Sequence, residues 1–464
     1  MFNKSIYINR RQALLENLRE SGATGIVVFM GNVDAPAQYK DNCYKFRQDS
    51  TWLYYFGIDE PRFAAIIDLD SGDQTLYADD YEIDDIIWMG PMPSVRSIAD
   101  SAGVGKTASY GAFSIAVMKA LSTGRDVHFI PASRYYQQLK YERMGLEKPS
   151  ELLIKAIIKQ RLVKSEEEIV ELDAAATLGQ EMHTIARRGI RIGEIEQKIV
   201  GDMEGFALSK GWGISFATIL TQHGEIFHCH THENVIEPGK LMVIDAGLES
   251  NSHYASDFTR TYPTGGHYTS RQRDIYNIVH SCNEFAFSMI KPGVQYRDIH
   301  LAVNRKMLED LSALGLVKGD IDNLVEAGAA GLFMPHGLGH NMGLDVHDME
   351  DLGEDFVGYD DDQTRSALLG IRSLRMARRL VPGNVITDEP GIYFIPALID
   401  KWEKEGKFPG GINYSALREH YFDFGGIRLE DDVLVTADGA RRLGANRLPI
   451  SVEDVEAAME NDRK

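Results

Sequence analysis

The sequence predicts a two-domain α/β (α+β) protein, and three observations carry that expectation. At 464 residues the chain is longer than one ordinary hydrophobic core. Its first third alternates helix-like with strand-like stretches. Near residue 160 the pattern changes to one long amphipathic helix. A capping box of Ser165 and Glu168 opens that helix, and Ile169, Leu172 and Ala176 continue it at helical spacing. The domains are therefore expected at 1–160 and 161–464.

Taken in order, a helix is expected near 9–22, an apolar strand at 25–30, and further strands at 63–69 and 74–77. Residues 240–263, KLMVIDAGLESNSHYASDFTRTYP, read as two strands around a turn rich in Ser and Asn. Helical patterns follow at 269–290 and 297–313. After a Gly-rich stretch at 331–343 comes an acidic, then basic, insertion at 350–380 with no readable secondary structure. Strands return at 385–394 and 426–436.

Composition narrows the function. A 44% hydrophobic fraction with 9% aromatics suffices for burial. The 69 acidic and 49 basic residues give a net charge of −20, which repels nucleic-acid phosphate and anionic lipid, so neither is an expected partner. Cys43, Cys229 and Cys282 are an odd number without metal-finger spacing, as in a reducing compartment. The start is polar, and no window approaches the run of about eighteen apolar residues that a membrane span needs. A cytoplasmic enzyme is the expectation.

The chemistry is carried by acids. Asp245, at the end of the apolar strand VIDAG, and Asp257 face each other if the intervening turn is centred on Asn251. Carboxylates held that closely either share a proton or hold a cation. Glu389 in VITDEPGIYF leaves a similar apolar strand, and Glu430 in GGIRLEDDVLV repeats the theme. Arg428, two residues earlier on the same strand face, is placed to orient Glu430 or to pair with another acid. In PHGLGHNMGLDVHD, Gly337, Gly339 and Gly343 let the backbone approach closely between His336, His340 and His347. The segment is not helical, so the helical zinc-protease signature does not apply. In QHGEIFHCHTHEN, the histidines at 228, 230 and 232 alternate onto one face of an extended segment, with His223 ahead of them. One of these is expected to face an active site, against a separate zinc site as the lesser reading.

Four carboxylates and one imidazole form an oxygen-dominated set whose charge matches two divalent cations, with manganese or magnesium favoured and cobalt or zinc admitted. Two ions about 3.5–4 Å apart would hold a bridging hydroxide and stabilise the oxyanion of an attacked carbonyl. Two decoys are set aside. GVGKT at 103–107 has Asp100 where a phosphate loop needs its first glycine, and EAGAAG at 326–331 follows no strand.

With these residues in view, the chain resembles the proline-specific metallopeptidases of the pita-bread fold, aminopeptidase P and prolidase. VIDAG, SDFTRTYP, HGLGHNMGLDVHD, TDEPGIY and GIRLEDD carry the resemblance over nearly the whole chain. It implies a C-terminal pita-bread catalytic domain behind a creatinase-like amino domain, the latter marked by FRQDSTWLYYFGIDEP at 46–61. It implies metal ligands at Asp245, Asp257, His340, Glu389 and Glu430, with Asp257 and Glu430 touching both ions. His230 would contact substrate, His336 and His347 would line the proline pocket and stabilise the transition state, and Glu389 would also move protons. Arg428 would support the acid cluster, and Tyr393 matches an active-site tyrosine.

The implied function is hydrolysis of the N-terminal Xaa-Pro bond of peptides by an Xaa-Pro aminopeptidase holding two divalent ions, most naturally Mn2+, with Co2+ or Zn2+ as alternatives. The family implies a homo-oligomer, dimer or tetramer, in which Trp88 of DIIWMG would reach a neighbouring subunit's site. Two alternatives accompany this reading. The insertion resembles longer prolidase-like forms, and its Arg372, Arg375, Arg378 and Arg379 would suit a cap that captures a dipeptide carboxylate. A non-catalytic pita-bread binding protein is the alternative of another class, and it is opposed by the intact ligand set.

Overall fold

The computed structural model describes residues 2–464. It divides into two compact units, Met1–Arg161 with Asp351–Phe356, and Leu162–Glu350 with Val357–Lys464.

The first unit is a mixed sheet covered by helices. Helix α1 (Lys4–Glu20) starts earlier than the apolar pattern implies, because the Asn3 side chain caps it by accepting from Ser5 N. Strands β1 (Ile26–Met30), β2 (Ala64–Asp68), β3 (Gln74–Tyr77), β4 (Lys106–Ala108) and β5 (Val127–His128) lie in the order β4-β3-β2-β1-β5. Strand β1 is buried along its whole length, as an interior strand with both faces covered should be. The helices are α2 (Ser50–Phe56), α3 (Ile83–Met89), α4 (Val95–Ala102), α5 (Tyr110–Ser122), α6 (Tyr135–Met144) and α7 (Glu151–Arg161). Val28, Ile66, Phe113, Val117 and Tyr141 form the core under α5 and α6. Helix α3 buries nothing, and Trp88 on it is 86% exposed.

In the second unit the Ser165–Glu168 capping box opens α8 (Glu166–Gly189), which packs with α9 (Glu196–Lys210). The strands are β6 (Gly213–Ile214), β7 (Ile219–Thr221), β8 (Leu241–Ala246), β9 (Leu248–Glu249) and β10 (Phe258–Pro263). Helices α10 (Ser270–Met289) and α11 (Tyr296–Ala313) follow, then β11 (Val385–Asp388), β12 (Gly391–Tyr393), β13 (Gly426–Arg428), β14 (Asp431–Val435) and β15 (Ala440–Arg442). Two three-stranded sheets, β10-β8-β7 and β11-β14-β15, meet where Thr259 bridges to Glu430. Met182, Met203, Ile275 and Val303 from the helices pack against Ile244, Ile386 and Val433 from the strands in one core.

Three sequence expectations need correction. Asp245 pairs with Thr259, not Asp257, so the turn is centred on Ser252. The two-residue shift keeps Asp257 on the face of Asp245 but makes it a diagonal neighbour, while His253 takes a left-handed backbone, φ 69°, in the turn. The stretch at 385–394 is two strands, β11 and β12, in different sheets, because Pro390 has no N–H to continue a ladder. The stretch at 426–436 likewise breaks into β13 and β14 at Leu429–Glu430, where Glu430 N turns to Thr259 O at 3.0 Å. The insertion resolves into short helical turns at Glu350–Leu352 and Glu354–Gly358 and a small cluster of Tyr359, Leu374 and Ala377. Among the described residues no helix is long and apolar enough to cross a membrane, and none of the cysteines is in a disulfide.

Candidate metal centre

The breaks in the strands place the acids. Asp245 is the penultimate residue of β8, Glu389 follows β11, and Glu430 precedes β14. His340 is hung beside β11 by Thr387 N donating to its carbonyl at 3.0 Å and by its own N–H reaching Thr387 Oγ1 at 3.1 Å. That approach requires glycine at 339, since a Cβ there would stand 2.2 Å from Thr387 O. As expected from the sequence, the segment 336–348 is irregular and holds its histidines at the end of the strands.

The acids converge on one cavity of about 470 Å3, lined by Asp245, Asp257, Glu389 and Glu430 together with all three histidines at 336, 340 and 347. Ligating atoms of Asp257, His340 and Glu430 all lie within 4.8 Å of one another. His340 Nε2 is 3.4 Å from Asp257 Oδ2, 3.9 Å from Glu389 Oε1 and 4.0 Å from Glu430 Oε1. Its Nδ1 donates to Asn341 O at 3.2 Å, which leaves Nε2 as a lone pair aimed at the acids.

Electrostatics point the same way. Burial, and then the charges of Asp245 and Asp432, hold Asp257 well above the usual carboxylate range. Burial with Asp257 and Glu389 does the same to Glu430. Burial pushes Glu389 up to about 7, although His340 and Arg428 pull it down. Asp257 Oδ1 is buried without a hydrogen-bond partner. Such a cluster asks for positive charge. Hard oxygen donors plus one imidazole, with an orphaned carboxylate oxygen among them, fit divalent cations.

The surroundings fix this set. Arg428 does not serve Glu430 directly: its Nη2 donates to Asp245 Oδ2 at 2.5 Å, its Nη1 to the Tyr393 hydroxyl at 2.7 Å and its Nε to Thr259 Oγ1 at 3.2 Å. The Tyr393 hydroxyl in turn donates to His336 Nε2 at 2.8 Å, because His336 Nδ1 is committed to Gly337 O at 2.8 Å. Burial pushes His336 down to about 3, so it is neutral at physiological pH. Burial and the adjacent His340 also lower His347, whose Nδ1 donates to Glu350 Oε2 at 3.1 Å.

His228 and His230 both line the cavity, their rings 6.3 Å apart. His232 does not share their face. Its Nδ1 donates to the Leu220 carbonyl at 3.0 Å inside the core, because residues 227–228 form a turn instead of continuing an extended strand. Among the described residues no second cluster of histidines gathers at metal-ligand spacing.

Sequence reasoning missed several partners. Thr259 Oγ1 donates to Glu430 Oε2 at 2.6 Å, and Asp432 Oδ2 accepts from Asp257 N at 3.0 Å. Thr259 was within reach of the alternation D257-F-T259; Asp432 was not, because only the strand break brings it behind Asp257. Phe227 packs edge-on against Tyr393 and His336, with centroids 4.5 and 5.7 Å away, giving the cavity an aromatic wall. Of the insertion's arginines only Arg375 reaches the cavity, where Glu350 pairs with it. Arg378 pairs with Asp360 at 2.9 Å, Arg379 donates to Gly293 O at 2.6 Å, and Arg372 is exposed.

Residues 171–437 match the model of metallopeptidase family M24, and residues 7–128 match the aminopeptidase P N-terminal domain. The chain is 30% identical to human Xaa-Pro dipeptidase, over 98% of this chain and 93% of that one. It is also 30% identical to a probable Xaa-Pro aminopeptidase of Aspergillus niger, over 96% and 95%. Zinc-substituted aminopeptidase P of Escherichia coli in complex with product superposes with a TM-score of 0.80 at 27% identity, covering 100% of both chains.

Proposed function

The chain belongs to metallopeptidase family M24, and from that premise we propose that it is an Xaa-Pro aminopeptidase, hydrolysing the bond before a proline in second position. The observation that carries the reading is the convergence of Asp245, Asp257, His340, Glu389 and Glu430 on one cavity beside His336 and His347. On this reading those five residues hold two divalent ions, with manganese ahead of cobalt or zinc on hard oxygen donors, and residues 161–464 form the catalytic domain behind a 1–160 amino domain. When bound, the ions would polarise the scissile carbonyl and lower the pKa of the attacking water.

The chain's own residues supply the rest. Glu389, whose Oε2 stands 3.7 Å from His336 Nδ1 on the cavity wall, accepts the proton of the attacking water and returns it to the departing proline nitrogen. Arg428 fixes Asp245 and Tyr393, so that the tyrosine hydroxyl orients His336 toward the substrate. His230 contacts the substrate, and Phe227 with His336 and His347 offers an apolar-edged wall for the proline ring. A cytoplasmic homo-oligomer, dimer or tetramer, with exposed Trp88 toward a neighbouring subunit, completes the proposal.

A second reading, prolidase restricted to dipeptides, is favoured by one observation: Arg375 stands on the cavity wall, where a guanidinium would capture the dipeptide carboxylate. The deciding experiment compares manganese-loaded protein on an Xaa-Pro dipeptide and an Xaa-Pro tripeptide, with a chelated control and Asp257→Ala. Tripeptide cleavage lost in both controls supports the aminopeptidase. Dipeptide-only cleavage that weakens in Arg375→Ala supports prolidase. Cleavage of neither overturns both and returns the chain to a binding role.

A further inference from the structure

The N-terminal unit contains a second cavity, of about 550 Å3, that the proposed peptidase reaction does not use. Its walls are one face of α5, with Tyr110 and Met118 at helical spacing, and one face of α6, with Tyr136, Lys140, Arg143 and Met144. Size and lining suit a small organic molecule. The walls are fixed: the Tyr136 hydroxyl accepts from Val33 N at 2.8 Å and donates to Gly31 O at 3.1 Å.

The charges are unusual for this chain. Lys140 Nζ stands 3.8 Å from the centroid of the Tyr110 ring, and Arg62 Cζ stands 6.0 Å from the same centroid. Neither these two nor Arg143 takes part in an ion pair among the described residues. The nearby Asp79 is engaged by the start of α5, its Oδ1 accepting from Tyr110 N at 3.0 Å. Arg62 holds a left-handed backbone, φ 64°, a conformation that non-glycine residues keep mainly where surrounding structure imposes it. Burial, with Arg62 close by, pushes Lys140 down to about 8. A protein of net charge −20 has carboxylates in excess, yet none is paired with these cations beside an aromatic cavity.

We propose that this cavity is a ligand site of the N-terminal unit for a small monocarboxylate with an aromatic or aliphatic body. Lys140 and Arg143 take the carboxylate, and Tyr110, Tyr136, Met118 and Met144 take the body. The carboxylate supplies the counter-charge that Lys140 lacks in its apolar surroundings. A bare inorganic anion would leave the apolar walls unsatisfied.

The test titrates 3-phenylpropionate into the metal-loaded full chain by calorimetry, beside its uncharged analogue 3-phenylpropanamide and inorganic phosphate. Saturable binding of the acid is expected, with the amide and Lys140→Met each weaker by about tenfold or more. Lys140→Arg is expected to restore binding, and phosphate not to compete. Met118→Glu, at a partly exposed wall position that tolerates a charge, is expected to repel the acid without disturbing the fold. Peptide hydrolysis should be unchanged in all of these variants, and Asp257→Ala should bind the acid as wild type does. The proposal is overturned if the acid does not bind saturably, if the amide binds equally well, if Lys140→Met and Met118→Glu leave affinity unchanged, or if Asp257→Ala abolishes binding.

Discussion

Glu430 and Asp431 are neighbours in sequence, each 2% exposed, and they meet opposite fates on the two sides of β14. Glu430 faces the cavity, where burial and the acids Asp257, Glu389 and Asp245 raise it well above the ordinary range. Asp431 faces the back, within 2.6 Å of Arg260 and 3.0 Å of both Arg442 and Arg447. Burial opposes its ionisation too, but three guanidiniums outweigh burial and hold its carboxyl far below the usual value. In the front region four carboxylates share one buried guanidinium, Arg428 on Asp245, whereas in the back region three guanidiniums serve the single acid Asp431. A buried acid with its counter-charge built in secures the fold; one left without is a place for charge from outside.

The largest expected effect tests the front region. Asp257→Ala should lower Xaa-Pro hydrolysis by about 10^4-fold, roughly 5 kcal/mol in barrier, with loss of bound metal by elemental analysis. Because it removes a repelled charge, the metal-free variant should melt no lower than metal-free wild type. If it melts several degrees lower, Asp257 is a structural acid and the contrast with Asp431 fails.

Asp431→Ala is the mirror case. It strands buried Arg260 beside two further cations and should cost about 3–5 kcal/mol in denaturant unfolding, whether or not metal is present. A loss that appears only in metal-loaded protein would move Asp431 to the front region.

The third effect is pH dependence. Glu389, raised from 4.5 to about 7 on folding, leaves stability unaffected below its unfolded value and lowers it as pH rises toward 7. The melting temperature of chelated protein should therefore fall between pH 5 and pH 8, with about 3 kcal/mol at stake from this group. The gap between metal-loaded and metal-free protein should widen over the same range, since metal binding needs the ionised acids. In Glu389→Gln the fall should flatten; an unchanged slope would assign it to other groups.

The smallest effect sharpens the boundary between the regions. Thr259 donates to Glu430 from β10, at the bridge where the two sheets meet, so Thr259→Val should weaken metal affinity by about 10- to 100-fold with little change in unfolding free energy. A large stability loss without a change in metal affinity would make Thr259 a packing residue.

Much of this was legible in the chain. Ser165 and Glu168 marked the start of α8 because a capping box is a local signal, and 74–77 coincides with β3 because alternation is equally local. Asp245, Asp257, Glu389 and Glu430 stood out because acids beside apolar strands are costly without a partner. The single turn between Asp245 and Asp257 was read one residue short, since Ser250, Ser252 and His253 bond within the loop in a way that no periodicity encodes.

By itself, then, the sequence determined which side chains are costly to bury and which stretches are helix or strand, because both depend on residues a few positions apart. Tertiary structure alone decided that Arg428 holds Asp245 instead of Glu430, that Glu430 and Asp431 part to opposite faces, and that Arg375 enters the cavity while Arg378 does not. Arg428 and Asp245 are 183 residues apart along the chain and Arg260 and Asp431 are 171 apart, while the partners of Arg375 and Arg378 lie 25 and 18 residues away in a segment without periodic structure. Coulomb energy acts through space, at distances that only the folded backbone fixes.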